Sequence, residues 1–154
     1  MTDTATVLVL GYGNPGRRDD GLGPALAAAL EKSAISQVTV DSDYQLMVED
    51  AAAAAEHDVV IFVDASINCD RAFTFKRIEP KAEISFSSHS VSPESVLGLA
   101  HKLFGAETKG YILSIRGYEF EDMQESLTEA ARANLDAALD FLQTALYERT
   151  FREV

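Results

Sequence analysis

The sequence predicts a single α/β domain: a three-layer sandwich with a mostly parallel, twisted five-stranded sheet and helices on both faces. Apolar segments rich in β-branched residues alternate along the chain with alanine- and leucine-rich segments of helical spacing. Two of the apolar runs, Ala5–Leu10 and Val59–Val63, are nearly continuous, which is typical of strands buried on both faces. A chain of 154 residues with 47% hydrophobic content can bury one sizeable core. We predict that the domain spans residues 1–154 without a linker or an internal repeat.

The first half of the chain contains the predicted start of the sheet. Ala5–Leu10 is a strand because its apolar residues are consecutive and largely β-branched. Leu22–Leu30 is a helix with an alanine-rich apolar face, and Val38–Val40 is a short second strand. Leu46–Glu56 is predicted to be helical because alanine has the highest helix propensity.

The centre of the chain supplies further strands. Val59–Val63 (VVIFV) is the clearest buried strand, and Asp64 ends it. Phe73–Ile78 alternates apolar and polar residues, which indicates an edge strand or a strand buried on one face. Residues 80–90 are polar and rich in serine, so we expect a loop or a short strand there. Gly110–Ile115 is another strand.

Two helix starts are visible in the second half. Ser92–Pro93 places a serine cap before a proline at the first helical position, and this helix should run to about Phe104, with Gly105 near its end. Ser126–Glu129 has the spacing of a capping box, which predicts the start of the last helix. That helix has apolar residues at helical spacing: Ala131, Leu135, Ala138, Leu139, Leu142 and Leu146.

The charge of the chain argues against nucleic-acid binding. It has 25 Asp and Glu against 13 Lys and Arg, a formal net charge of −12, and no basic stripe that could follow a phosphate backbone. The N-terminus lacks the pattern of a signal peptide, and no apolar segment approaches the ~20 residues needed to span a bilayer. The single cysteine, Cys69, excludes an intrachain disulfide and a thiolate metal cage. We expect a cytoplasmic protein, monomeric, without membrane or nucleic-acid partners.

Three candidate functional residues follow predicted strands, where α/β enzymes place their sites. Asp20 lies in the loop after the first strand, Asp64 ends the VVIFV strand, and His89 lies in the loop before the Ser92 helix. Two carboxylates and an imidazole suit a divalent ion such as Ni²⁺, Zn²⁺ or Mn²⁺, and leave positions open for a substrate. Structural explanations remain open: Asp19 and Asp20 as helix caps or dipole partners, Asp64 bonded to loop amides, and His89 solvated.

The glycine turn GYGNPG does not identify a nucleotide site. It lacks the G-x-G-x-x-G spacing, and the two aspartates that follow would oppose a bound pyrophosphate. The sequence contains neither a Walker lysine nor a G-x-S-x-G elbow. A nucleophilic pair between His89 and its serine neighbours is disfavoured, because neighbours in sequence seldom point at one another productively.

The motifs LGYGNPGRRDDGLG, VVIFVDAS and SSHSVSPESVL occur in this order along the chain. Together they resemble those of the hydrogenase maturation endopeptidases, and the resemblance extends from about Val7 to Leu146. It implies a five-stranded α/β sandwich and an endopeptidase that removes a C-terminal peptide from the large-subunit precursor of a nickel–iron hydrogenase after nickel insertion. It also implies that the metal ligands and catalytic residues are Asp20, Asp64 and His89.

The resemblance further implies that Ni²⁺ is carried by the precursor, for which Zn²⁺ or Cd²⁺ would substitute in crystals. The precursor's thiolates leave coordination positions that the two carboxylates and the imidazole fill, and this binding places the scissile bond against the protease. Some members of the family have glutamate as the first ligand. Because Asp20 is one methylene shorter, Asp19 is a competing candidate.

Two other functions remain as alternatives. The chain is a non-catalytic or inactive metal-binding homologue if the three residues bind metal and nothing is cleaved. A peptidyl-tRNA hydrolase would share the GNPG turn, but its catalytic histidine would follow that turn, where this chain has Arg17–Asp20. The acidic charge also disfavours tRNA as a partner.

Overall fold

The sheet has five strands, which the computed structural model describes together with the rest of residues 4–81 and 91–154. The strands are β1 (Val7–Tyr12), β2 (Val38–Asp43), β3 (Val59–Ser66), β4 (Phe73–Ile78) and β5 (Lys109–Arg116). Their order in the sheet is β2-β1-β3-β5-β4. All neighbours are parallel except β4, which pairs antiparallel with β5 at one edge. The predicted mostly parallel sheet and the edge position of β4 are therefore confirmed.

Helices cover both faces of the sheet, as predicted. They are α1 (Leu22–Glu31), α2 (Asp50–Ala55), α3 (Pro93–Phe104) and α4 (Glu129–Glu148). Alternate residues of β1 point to opposite faces: Val7 and Val9 pack in a core with α1 and α4, whereas Leu8 and Leu10 pack in a second core with α2 and α3. None of these helices, within the described ranges, is long and apolar enough to cross a membrane.

Element boundaries differ from the prediction at two points that matter for the site. β3 continues to Ser66, because it pairs with β5 as far as Arg116, so Asp64 lies within the strand rather than at its end. The predicted helix from Leu46 is wrong in its start, since α2 begins at Asp50. The residues before it form turns, in which the Asp50 carboxylate accepts a hydrogen bond from the Met47 amide at 2.8 Å.

The ends of α3 follow the predicted signals, and the start of α4 does not. Ser92 caps α3 by accepting a bond from the Ser95 amide at 3.1 Å, and Gly105 ends it in the left-handed conformation at φ 64°. The predicted capping box is wrong, because the residue that caps α4 is Thr128, which accepts from the Ala131 amide at 3.2 Å. Ser126 lies before the helix and accepts a hydrogen bond from Arg18 instead.

Candidate functional site

The start of α1 lies directly on the carboxyl ends of β1 and β3. A Cβ on Gly23 would stand 2.5 Å from the carbonyl oxygen of Tyr12 and 2.6 Å from that of Val63. A Cβ on Gly11 would stand 2.2 Å from the Gly23 carbonyl oxygen. The glycines of the motif therefore allow close helix–strand packing, and this packing keeps Asp20 at the edge of the sheet.

The turn between β1 and α1 holds Asp20 in a fixed position. Gly13 has a φ of +143°, and a Cβ on it would stand 2.0 Å from the Asp20 carbonyl oxygen. The carboxylate of Asp20 accepts a hydrogen bond from the Asn14 amide at 2.9 Å, and Asn14 in turn accepts one from Gly16 at 2.9 Å. Asp20 is thus a half-buried side chain with a defined orientation.

We expect Gly13→Ala to lower the free energy of unfolding by at least about 2 kcal/mol, because a Cβ there meets both an unfavourable φ and the backbone of Asp20. Gly105→Ala is the matched control: Gly105 also has a positive φ, but nothing lies within 4 Å of its Cβ position. Its cost should be about 1 kcal/mol. Urea unfolding measures both, and equal costs would contradict this account of the turn.

Asp64 lies beside Tyr12 at the carboxyl edge of the sheet. Burial, with a smaller contribution from the negative charge of Asp20, raises the pKa of Asp64 to about 6. Hydrogen bonds from the Ala65 amide, at 2.8 Å, and from the Tyr12 hydroxyl act in the opposite direction by favouring the carboxylate. Asp20 lies in the turn after β1, and Asp64 lies near the carboxyl end of the neighbouring strand β3, so the two predicted carboxylates lie at the same edge of the sheet.

Two residues at this edge were not predicted. Burial raises the pKa of Tyr12 above its ordinary value, and the charges of Asp64 and Glu94 raise it further. Glu94 lies in the first turn of α3, so the start of that helix is near enough for its charge to act on Tyr12. The available signal for Tyr12 was a polar group at the end of an otherwise apolar strand.

Asp19 has a structural role instead of the predicted ones. Its side chain is fully buried, and its carboxylate accepts four hydrogen bonds of 2.8–3.1 Å from Tyr118, Glu119 and Thr128. Burial alone would raise the pKa of Asp19, but these hydrogen bonds lower it below its ordinary value. The helix-cap prediction is wrong, since no side chain caps α1. Asp19 is also unsuited to bind metal, because its oxygens are already bonded to the loop after β5.

His89 lies outside the described residues, as do the serines that flank it. The described ranges contain no group of three His, Cys, Asp or Glu side chains that could hold a metal ion. The structure places Asp20 and Asp64 at the same edge of the sheet. Their role as ligands and that of His89 stay predictions. Ser92, three residues further along the chain, caps the helix that carries Glu94.

Comparisons with known proteins place this geometry in a known fold. No protein-family model matches the sequence, and a sequence search of curated proteins gives no match. Solved structures do match. The [NiFe] hydrogenase maturation protease HycI from Thermococcus kodakarensis KOD1 is 17% identical, with a TM-score of 0.72 over 93% of each chain. The chain has the fold of the hydrogenase maturation proteases.

Two further solved structures with similar names also match the fold of this chain. The hydrogenase maturating endopeptidase HybD from E. coli is 22% identical, with a TM-score of 0.68 over 97% of this chain and 96% of that one. The hydrogenase 2 maturation peptidase from Thaumarchaeota archaeon SCGC_AB-539-E09 is 22% identical, with a TM-score of 0.69 over 92% and 97%. The five-stranded sandwich that the resemblance implied is therefore confirmed over nearly the whole chain.

The described part of the site can supply oxygen ligands from a prearranged position. Asp20 is held by the Asn14 amide, and Asp64 by the Tyr12 hydroxyl and the Ala65 amide. Hydrogen bonds of this kind orient carboxylates that bind metal ions. Because two protein oxygens occupy only part of a coordination sphere, such a pair suits an ion whose other ligands come from elsewhere.

Proposed function

We propose that the chain is an endopeptidase that removes the C-terminal extension from the large-subunit precursor of a nickel–iron hydrogenase after nickel insertion. The observation that supports the proposal is the position of Asp20 and Asp64 at the same carboxyl edge of the sheet, after β1 and near the end of β3. They belong to two separate motifs of the resemblance, and the fold that joins them is that of proteins named as hydrogenase maturation proteases.

Asp20, Asp64 and His89 recognise nickel that the precursor already holds. Asp20 and Asp64 supply oxygen atoms, and His89 supplies an imidazole nitrogen, to coordination positions that the precursor's thiolates leave free. Binding of the substrate's nickel fixes the scissile peptide bond against the protease, which removes most of the entropic cost of reaching the reactive geometry. We infer that the protease acts in the cytoplasm as a monomer.

The direct test is to mix the protein with nickel-loaded and nickel-free precursor and to follow the appearance of the smaller product. We expect cleavage of the nickel-loaded precursor alone, because in this proposal coordination of the nickel positions the scissile bond. Cleavage without nickel would contradict nickel recognition.

Calorimetric titration with Ni²⁺ and Cd²⁺, done beside that assay, distinguishes an active endopeptidase from a non-catalytic homologue that binds metal. Binding of both ions, together with an uncut nickel-loaded precursor, would favour that alternative. His89→Ala should abolish cleavage of the nickel-loaded precursor, whereas His57→Ala should not, because His57 bonds to Ala53 and Thr39 away from the site.

A further inference from the structure

The segment between β2 and α2 exposes three large apolar side chains. Tyr44, Met47 and Val48 are 69%, 44% and 42% exposed, whereas Leu46 between them is buried in the core beneath α2 and α3. We call residues 41–50 the β2–α2 surface. Single exposed apolar residues are ordinary, whereas apolar side chains grouped within a polar rim are typical of a surface that binds another protein.

The backbone of the β2–α2 surface is held in place before any partner binds. Leu46 anchors it to the core, and the carboxylate of Asp50 accepts a bond from the Met47 amide at 2.8 Å. The amide of Asp50 donates back to the Met47 carbonyl at 3.0 Å, and the carboxylate of Asp43 accepts from the Tyr44 amide at 2.7 Å. A preordered surface loses little conformational entropy on binding, so its exposed side chains can contribute most of their burial energy.

The β2–α2 surface is continuous with the candidate site. Asp43 pairs with Tyr12 in the register of β1 and β2, and its carbonyl accepts a hydrogen bond from Gly13 at 3.0 Å. Because neighbouring strands lie about 4.8 Å apart, Asp43 is about 10 Å from Asp64, two strands away. A cavity of about 260 Å³ joins the segment to the turn that holds Asp20; it is lined by Gly13, Pro15, Pro24, Ser42, Asp43 and Tyr44.

The charge of this surface indicates the kind of partner that fits it. Asp41, Asp43 and Glu49 are exposed around the apolar side chains. Within residues 4–81 and 91–154 the one ion pair joins Arg18 to Glu119, so no described residue forms a salt bridge with these three acids. The complementary partner has an apolar centre and a basic rim.

We propose that the β2–α2 surface docks the folded part of the precursor, through an apolar patch with basic residues around it. This inference rests on the proposed function and adds a second binding region to it. The nickel contacts position the scissile bond, and the β2–α2 surface supplies affinity for the protein that carries it.

The experiment measures the dissociation constant of nickel-loaded precursor for the whole protein and for the double variant Tyr44→Ala/Met47→Ala. We expect the dissociation constant of the double variant to be at least about tenfold higher, and its KM to rise with kcat unchanged. The reason is that apolar anchors contribute much of the affinity of an interface. Tyr147→Ala is the matched control, since Tyr147 is 66% exposed on α4 and lies outside the proposed surface. Thermal unfolding should be the same for all of these proteins.

A charge variant tests the basic rim of the partner. Asp41→Lys/Glu49→Lys should weaken binding and flatten its dependence on salt concentration, whereas Asp136→Lys/Asp140→Lys on α4 makes the same change of charge elsewhere and should have little effect. If Tyr44→Ala/Met47→Ala binds and cleaves like the unchanged protein, the docking surface is disproved. Self-association that this double variant abolishes would also overturn it, because the occupant would then be a second copy of the chain.

The outcomes for the two proposals are distinguishable. If the unchanged protein binds the precursor without cleaving it, the endopeptidase function fails, and the binding constants of the variants still decide the docking surface. If it neither binds nor cleaves the precursor, both proposals fail.

Discussion

Asp64→Asn is expected to slow cleavage strongly and, at the same time, to stabilise the protein at pH 8. Burial raises the pKa of Asp64 to about 6 from an ordinary value of 3.8. The folded state therefore disfavours the charged carboxylate, and this cost is full above pH 6 and absent below pH 3.8. With one pKa unit equal to about 1.4 kcal/mol, and a reduction for partial exposure, the variant should gain about 2 kcal/mol of unfolding free energy at pH 8.

Urea unfolding at pH 8 and at pH 3.5 measures this effect. The variant should be more stable than the unchanged protein at pH 8, and the difference should shrink towards zero at pH 3.5. Asp140→Asn on the exposed side of α4 removes the same charge without relieving burial, so it should change stability by only a few tenths of a kcal/mol. Equal gains in the two variants would show that net charge, rather than the position of Asp64, is responsible.

The loss of cleavage in Asp64→Asn should be about 100-fold or more, since an amide is a much poorer nickel ligand than a carboxylate. A protein that is more stable and inactive would show that the fold tolerates an unfavourable charge at this position for the sake of function. An active Asp64→Asn variant would show that the Asp64 carboxylate is not needed for cleavage.

Asp19→Ala should have the largest effect on stability, a loss of about 3–4 kcal/mol of unfolding free energy. The substitution leaves the amides of Tyr118, Glu119 and Thr128 without the acceptor that the folded structure provides. Removal of one partner from a buried, charged hydrogen-bond network costs several kcal/mol.

The check is urea unfolding together with hydrogen exchange at those three amides, which should become much faster. Asp122→Ala is the control, because Asp122 is exposed in the same loop. The lowered pKa of Asp19 fixes the sign of the pH dependence: its stabilisation is complete above its unfolded-state pKa and is lost as pH falls through the lower folded-state pKa. An Asp19→Ala variant as stable as Asp122→Ala would refute this role.

The sequence was sufficient for most of the fold because the relevant signals are local. The continuous apolar run of β3 marks a strand buried on both faces, and Ser92 with Pro93 marks the start of α3. Helix α4 was correctly expected from its apolar spacing, but its first residue was not. The hydroxyl of Ser126 accepts from Arg18, more than 100 positions away, so the local capping pattern fails there.

The site was only partly predictable for the same physical reason. Asp20 and Asp64 follow from the rule that parallel strands present their carboxyl ends at one edge. Asp19 has the same local surroundings as Asp20, and what separates them is a set of partners about 100 residues further along the chain. Glu94 is noticeable only once α3 is placed beside Tyr12.

The bonds between Asp19 and Thr128 have a consequence for how the protein is made. Thr128 caps the last helix and also donates two hydrogen bonds to Asp19, so an early and a late part of the chain become ordered together. During synthesis, the β1–α1 turn leaves the ribosome long before Thr128 does. Asp19 and Asp20 should consequently reach their final positions late in folding. A nascent chain stalled before α4 should therefore lack an ordered candidate site.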